Sequence, residues 1–168
     1  MLLEVISVKI EEIINSYNTD RLSREQVLFT SIFIMQNRIQ NVSEKAQKEL
    51  SMKQWLLLTI ISVCPKPHTL SNIGRMMGCS RQNVKKLTDT LKDKGYVIIE
   101  YGPNNSVCVE LTSKLNEYSK EVGEKQVNLL NTLFSDFSDK DIELFFNMFI
   151  KLYNGIGLIE KKGGIDNE

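Results

Sequence analysis

Cysteine and histidine are scarce in this chain, with three Cys and one His among 168 residues. Cys64, Cys79 and Cys108 are odd in number and widely spaced, which excludes a disulfide framework and offers no zinc-ligand spacing. Cys79 stands beside a helix cap, where a helix N-terminus can lower a thiol's pKa, but a buried structural role is the expectation for all three. The lone His68, between Pro67 and Thr69, reads as a surface or hinge residue rather than a general base. A Gly-rich phosphate loop, paired catalytic carboxylates and a nucleophile elbow are all missing, so no enzyme and no cofactor is expected. The apolar run WLLLTIISV, from Trp55 to Val63, is far short of the ~20 residues that a membrane span requires. The first residues carry Glu4, Glu11 and Glu12 without a basic leader, and a cytoplasmic protein with no membrane partner is expected.

Net charge is also absent, since 21 Lys and Arg balance 21 Asp and Glu. Placement matters more than the sum. Between Lys66 and Lys94, the cations Lys66, Arg75, Arg81, Lys85, Lys86, Lys92 and Lys94 face only Asp89 and Asp93. This basic stretch coincides with the most informative pattern in the chain. Thr69 can cap a short helix whose Leu70, Ile73 and Met76 or Met77 face inward, and Gly78 supplies a turn into Cys79 and Ser80. Ser80 can cap a second helix in which Val84, Leu87 and Leu91 share a buried stripe. Lys92, Lys94 and Gly95 are stop signals that end this helix near Lys94.

The stripe leaves Arg81, Gln82, Asn83, Lys85 and Lys86 exposed within the first turns. Those are the side chains that duplex reading requires: Arg for guanine, Asn and Gln for adenine, Lys and a capping hydroxyl for phosphate. Beyond Gly95, Tyr96 to Ile99 is β-prone, Gly102 to Asn105 is a turn cluster, and Val107, Val109 and Leu111 alternate with Cys108 and Glu110. The predicted fold class is mainly α with a small β-hairpin wing, a winged helix-turn-helix with helical extensions. The hydrophobic fraction of 42% is ample for a core in one domain of this size.

The flanks are helical. Leu3, Ile6, Ile10, Ile13 and Tyr17 keep a helical period, and a longer helix starting near Ser23, with a Ser23/Gln26 capping-box spacing, carries Leu28, Ile32, Met35, Ile39, Val42 and Ala46. Another carries Leu115, Tyr118, Val122, Leu129 and Leu133, and Ser138 opens the last, with Ile142, Phe145, Phe149, Leu152 and Ile156. Leu144, Phe146, Met148 and Tyr153 widen that last apolar face until burial on two sides is required. A two-fold dimer built from both chain ends meets that requirement. The expected division is 1–50 for N-terminal dimerisation helices, 51–112 for the DNA-binding winged helix, 113–159 for C-terminal dimerisation helices, and an aperiodic, disordered tail at 160–168.

QWLLL at Gln54 to Leu58, SRQNVKKLTDTLKDKGYV at Ser80 to Val97 and ELTSK at Glu110 to Lys114 make the chain resemble the MarR family of bacterial transcription regulators. The resemblance implies a homodimer that binds a pseudo-palindromic double-stranded operator as a repressor. It also implies a small lipophilic or phenolic effector in the cleft between winged lobe and dimer helices, with Trp55 a candidate lining residue. Relatives that sense oxidants use a Cys in the first long helix, which has none here. The family's wing usually bears an Asp and one or two Arg near its tip, whereas Pro103-Asn104-Asn105-Ser106 has no Arg. Asn104 and Asn105 remain as groove or phosphate contacts, without the attraction a cation finds in a narrow groove. The cation-free wing leaves a second reading open, a winged helix used as a protein-interaction module.

Overall fold

The computed structural model describes residues 12, 20–46, 49–102 and 106–163. The predicted first helix and the wing-tip residues Asn104 and Asn105 lie outside the described residues. In chain order the elements are α1 (Arg21–Ala46), α2 (Met52–Val63), α3 (Leu70–Met77), α4 (Arg81–Asp93), β1 (Val97–Tyr101), β2 (Val107–Leu111), α5 (Lys114–Leu133) and α6 (Asp139–Lys162). The chain falls into two units, Met1–Leu115 and Asn116–Glu168.

Local chemistry starts these helices. Ser51 and Gln54 form a reciprocal capping box at α2, and Thr69 accepts from Asn72 N at α3. Each satisfies amide donors that the first helical turn cannot pair internally. At α1 the cap differs from the expectation. Asp20, not Ser23, does the capping: its carboxylate accepts from Ser23 N at 3.0 Å and from Ser23 Oγ at 2.6 Å. The helix accordingly starts at Arg21, and a carboxylate at its positive end is favoured by the helix dipole.

The core of the first unit is formed by Leu50, Leu57, Leu58, Ile61, Leu70, Ile73, Val84, Leu91, Tyr96, Val97 and Val109, drawn from α2, α3, α4, the hairpin and the segments leading into α2 and β1. β1 and β2 pair antiparallel, with Ile99 opposite Val109 and Tyr101 opposite Val107. A bridge between Thr69 and Cys108 and a bond from Val109 N to the His68 carbonyl at 3.0 Å attach the hairpin to the segment preceding α3. His68 is therefore 6% exposed, not a surface residue. Its Nε2 lies 2.9 Å from the Cys64 carbonyl oxygen, because the chain must turn back here to pair with β2.

A polar cluster closes the other side of this unit. Tyr96 is fully buried, and its hydroxyl donates to Glu49 at 2.6 Å. Lys114 Nζ sits 4.5 Å from the Tyr96 ring centroid, 3.4 Å from Glu49, and donates to the Lys94 carbonyl at 2.9 Å. The Tyr96 hydrogen bond, aided by Lys114 and Lys94, holds the Glu49 carboxyl below its usual range, against a smaller opposing effect of desolvation. Residues from the start of α2, the end of α4 and the start of α5 are thereby joined through side chains.

In the second unit, Ser138 and Asp141 form the capping box of α6. The Ser138 side-chain and backbone hydrogen bonds hold the Asp141 carboxyl below its usual range. Phe134, Phe137, Phe145, Phe149 and Tyr153 form a continuous series of ring contacts, with centroids 5.5 to 6.1 Å apart. α6 reaches Lys162, past the expected end of order at Ile159. Lys161 and Lys162 occupy its last turn, where the dipole favours cations. No residue of α6 is buried, and its length and composition also suffice for a membrane span.

Candidate nucleic-acid interface

Two short helices and a glycine turn place the candidate reading edge. Gly78 takes the left-handed conformation, with φ of 63°, and ends α3. Gly74 has a separate role that its sequence context does not reveal. A Cβ there would lie 2.7 Å from the Cys79 carbonyl oxygen, and Cys79 N donates to the Gly74 carbonyl at 2.9 Å. Only a residue without a side chain lets the turn approach α3 this closely.

Ser80 then caps α4 by accepting from Asn83 N at 3.3 Å. Val84 and Leu91 are fully buried, as the stripe predicts, and Thr88 joins them while Leu87 is half-buried. The buried face is thus rotated slightly towards Thr88. Met77 is half-buried and Met76 exposed, which resolves the choice at the end of α3.

Ser80, Arg81, Gln82, Asn83, Lys85 and Lys86 are all exposed. They divide between two faces. Arg81, Gln82 and Lys85 border a depression of about 460 Å³ between α4 and the hairpin, with Leu70, Thr88, Asp89, Ile99, Tyr101 and Val107 completing its wall. Asn83 and Lys86 lie on the adjacent strip of the helix. Lys85 is paired with Asp89 at 2.7 Å, whereas Arg81 and Lys86 form no ion pair among the described residues. The first turn of α4 contains no acidic residue, so the helix dipole and the cations at this end both favour an anion.

Other members of the basic stretch serve the fold. Lys94 donates to the Glu49 carbonyl and to Gln54, and Lys66 pairs with Glu110 at 2.7 Å. That pairing raises the Lys66 pKa above its ordinary value. The described wing strands, VIIEY and VCVEL, carry two carboxylates and no cation. Cys64, Cys79 and Cys108 are half-buried, not fully buried, and none is in a disulfide.

No family model matches the sequence. The Escherichia coli K12 transcriptional repressor MprA is 24% identical over 145 residues, covering 83% of this chain and 82% of that protein. The crystal structure of a MarR/EmrR family transcriptional regulator from Acinetobacter sp. ADP1 superposes with a TM-score of 0.69 at 14% identity, covering 80% of this chain and 97% of the other. The chain has the MarR fold. An organohalide-sensing transcriptional regulator solved with 2,4-dichlorophenol bound also superposes, with a TM-score of 0.66 at 15% identity over 83% of each chain. Within the MarR fold, the pair α3 and α4 is the helix-turn-helix and the β1–β2 hairpin is the wing.

Proposed function

We propose that this protein is a dimeric, sequence-specific DNA-binding repressor whose operator release is controlled by a small ligand. The observation that carries the proposal is the exposed edge Ser80 to Lys86. It is capped, free of carboxylates in its first turn and supported from behind by the fully buried Val84 and Leu91. Gln82 and Asn83 read base edges, while Arg81 and Lys86 neutralise phosphates and Ser80 donates to one. Lys85 joins them once phosphate displaces Asp89. Asn104 and Asn105 are assigned to the flanking backbone or groove.

Dimerisation is assigned to the helices of 1–50 and 113–159, around a reading region at 51–112. Leu28, Phe29, Phe33 and Met35 of α1 and, separately, Phe145, Phe146, Phe149 and Leu152 of α6 are exposed in a single chain, and an exposed apolar face on each helix supports an interface. The relatives are transcriptional regulators, which supports a second copy rather than a bilayer as the cover for α6 and supports a cytoplasmic location. Two copies would set their α4 helices on half-sites ~34–36 Å apart. The ligand-bound organohalide regulator supports a small phenolic or lipophilic effector.

Selection of bound duplexes from a random pool, followed by anisotropy titration at two salt concentrations, tests this reading. A pseudo-palindrome with a steep salt slope is expected, because neutralising several phosphates releases counterions. Weak binding without enrichment would instead support the protein-interaction module. In the same titrations, Arg81→Ala and Lys86→Ala should weaken all duplexes and each lower the salt slope by about one, while Gln82→Ala and Asn83→Ala mainly relax sequence preference.

A further inference from the structure

Tyr101 closes β1 at the edge of the wing and is 77% exposed, more than any other large apolar or aromatic side chain among the described residues. Its neighbours explain why the position matters. Ile99 and Tyr101 lie two residues apart on one strand and share a ribbon face. Both border the same depression as Arg81, Gln82 and Lys85 of α4, and Val107, the cross-strand partner of Tyr101, does so as well. The backbone behind it is fixed, since Gly102 N donates to the Ser106 carbonyl at 2.8 Å immediately after the strand.

This half of the wing has no cation to offer a nucleic acid. Glu100 is exposed, and Glu110 is held by Lys66 on the segment before α3. The exposed phenol of Tyr101, which borders the same depression as Arg81, is the remaining strong donor on the ribbon surface that borders α4. Tyrosine hydroxyls donate to phosphate oxygens, and the ring can lie on the adjoining sugar. We infer that Tyr101 is a further DNA contact of the wing, in addition to Asn104 and Asn105: its hydroxyl donates to a backbone phosphate beside the half-site read by α4, a neutral donor where a wing cation is absent. The inference rests on the proposed DNA-binding reading and adds a residue and a mode of contact to it.

A tyrosine contact and a cation contact differ in their salt dependence. Removing a neutral donor weakens binding without changing the number of counterions released, whereas removing a cation lowers the slope of log affinity against log salt. The test is anisotropy titration of the selected duplex at two salt concentrations with the parent, Tyr101→Phe, Tyr101→Ala and Lys86→Ala proteins. Circular dichroism confirms that the exposed substitutions leave the fold intact. Tyr101→Phe should weaken binding roughly tenfold or more and Tyr101→Ala at least as much, consistent with loss of one hydrogen bond to a charged acceptor. Both should keep the parent's slope while Lys86→Ala loses about one unit of it.

A parent that binds, with Tyr101→Phe equal to it at both salts, overturns the hydroxyl contact and leaves the reading of α4 standing. A change of slope of about one in Tyr101→Phe likewise overturns the neutral-donor assignment. A parent that holds no duplex at either salt overturns the DNA-binding reading and this inference together.

Discussion

Lys85 and Asp89 show how one side chain can tune another at the candidate interface. Their pairing at 2.7 Å leaves both partly exposed, so it stabilises the fold little. Its consequence is for binding: the Asp89 carboxylate occupies Lys85 and puts a negative charge in the depression beside Arg81 and Gln82. Replacing Asp89 by Asn should raise affinity for every duplex and steepen the salt slope, with sequence preference loosened, as anisotropy at two salts would show. An unchanged slope would mean that Lys85 stays off the DNA. Asp89 was visible in the sequence four residues after Lys85, a spacing that brings side chains together on a helix.

At the scale of elements, Gly74 and Ser80 set the angle at which α4 is offered. Ala at Gly74 would press its Cβ against the Cys79 carbonyl oxygen, a backbone atom that cannot swing away. Overpacking of this kind costs about 1–3 kcal/mol, and urea denaturation of Gly74→Ala should show a loss in that range. Ser80→Ala, by comparison, should cost about 1 kcal/mol through the lost cap. It should also weaken DNA binding more than that stability loss explains, because the first turn holding Arg81 to Asn83 frays. The hairpin is fastened by the His68 carbonyl and the Thr69–Cys108 bridge. The burial of His68 follows from that fastening and could not be read from a histidine flanked by proline and threonine.

For the whole molecule, two consequences extend beyond a single element. Glu49, Tyr96 and Lys114 join distant parts of the first unit, and the lowered Glu49 pKa gives this cluster a pH dependence. A carboxyl whose folded pKa is depressed stabilises fully above its unfolded value, near 4.5. That contribution is lost as the pH falls through the lower folded value. The stability advantage of the parent over Glu49→Gln should therefore be constant above about pH 5 and shrink below it in denaturation series. The exposed aromatic face of α6 carries the second consequence. Phe146→Glu places a charge on that face, and sedimentation should show a dimer replaced by monomer, with operator affinity falling because one reading helix no longer recruits the other. A parent that sediments as a monomer would remove the dimer from the proposal.

Residues close together in the sequence made much of this legible. The caps at Thr69, Ser80 and Ser138, the turn at Gly78, the buried Val84 and Leu91, and the hairpin either side of Gly102 all follow from periodicity and local hydrogen bonding over a few positions. The same local logic marked Arg81, Gln82, Asn83, Lys85 and Lys86 as exposed. It failed where the deciding partner is distant in the chain. His68 is buried by β2, Tyr96 finds Glu49 across 47 residues, and Lys94 is drawn from the basic stretch into support of α2. Gly74 meets the turn it accommodates only after α3 and α4 pack, and Tyr101 comes to border the same depression as Arg81 only after the hairpin folds beside α4. Local pattern records which groups a residue can satisfy within a turn or a strand pair; the groups that burial brings from elsewhere are set by packing.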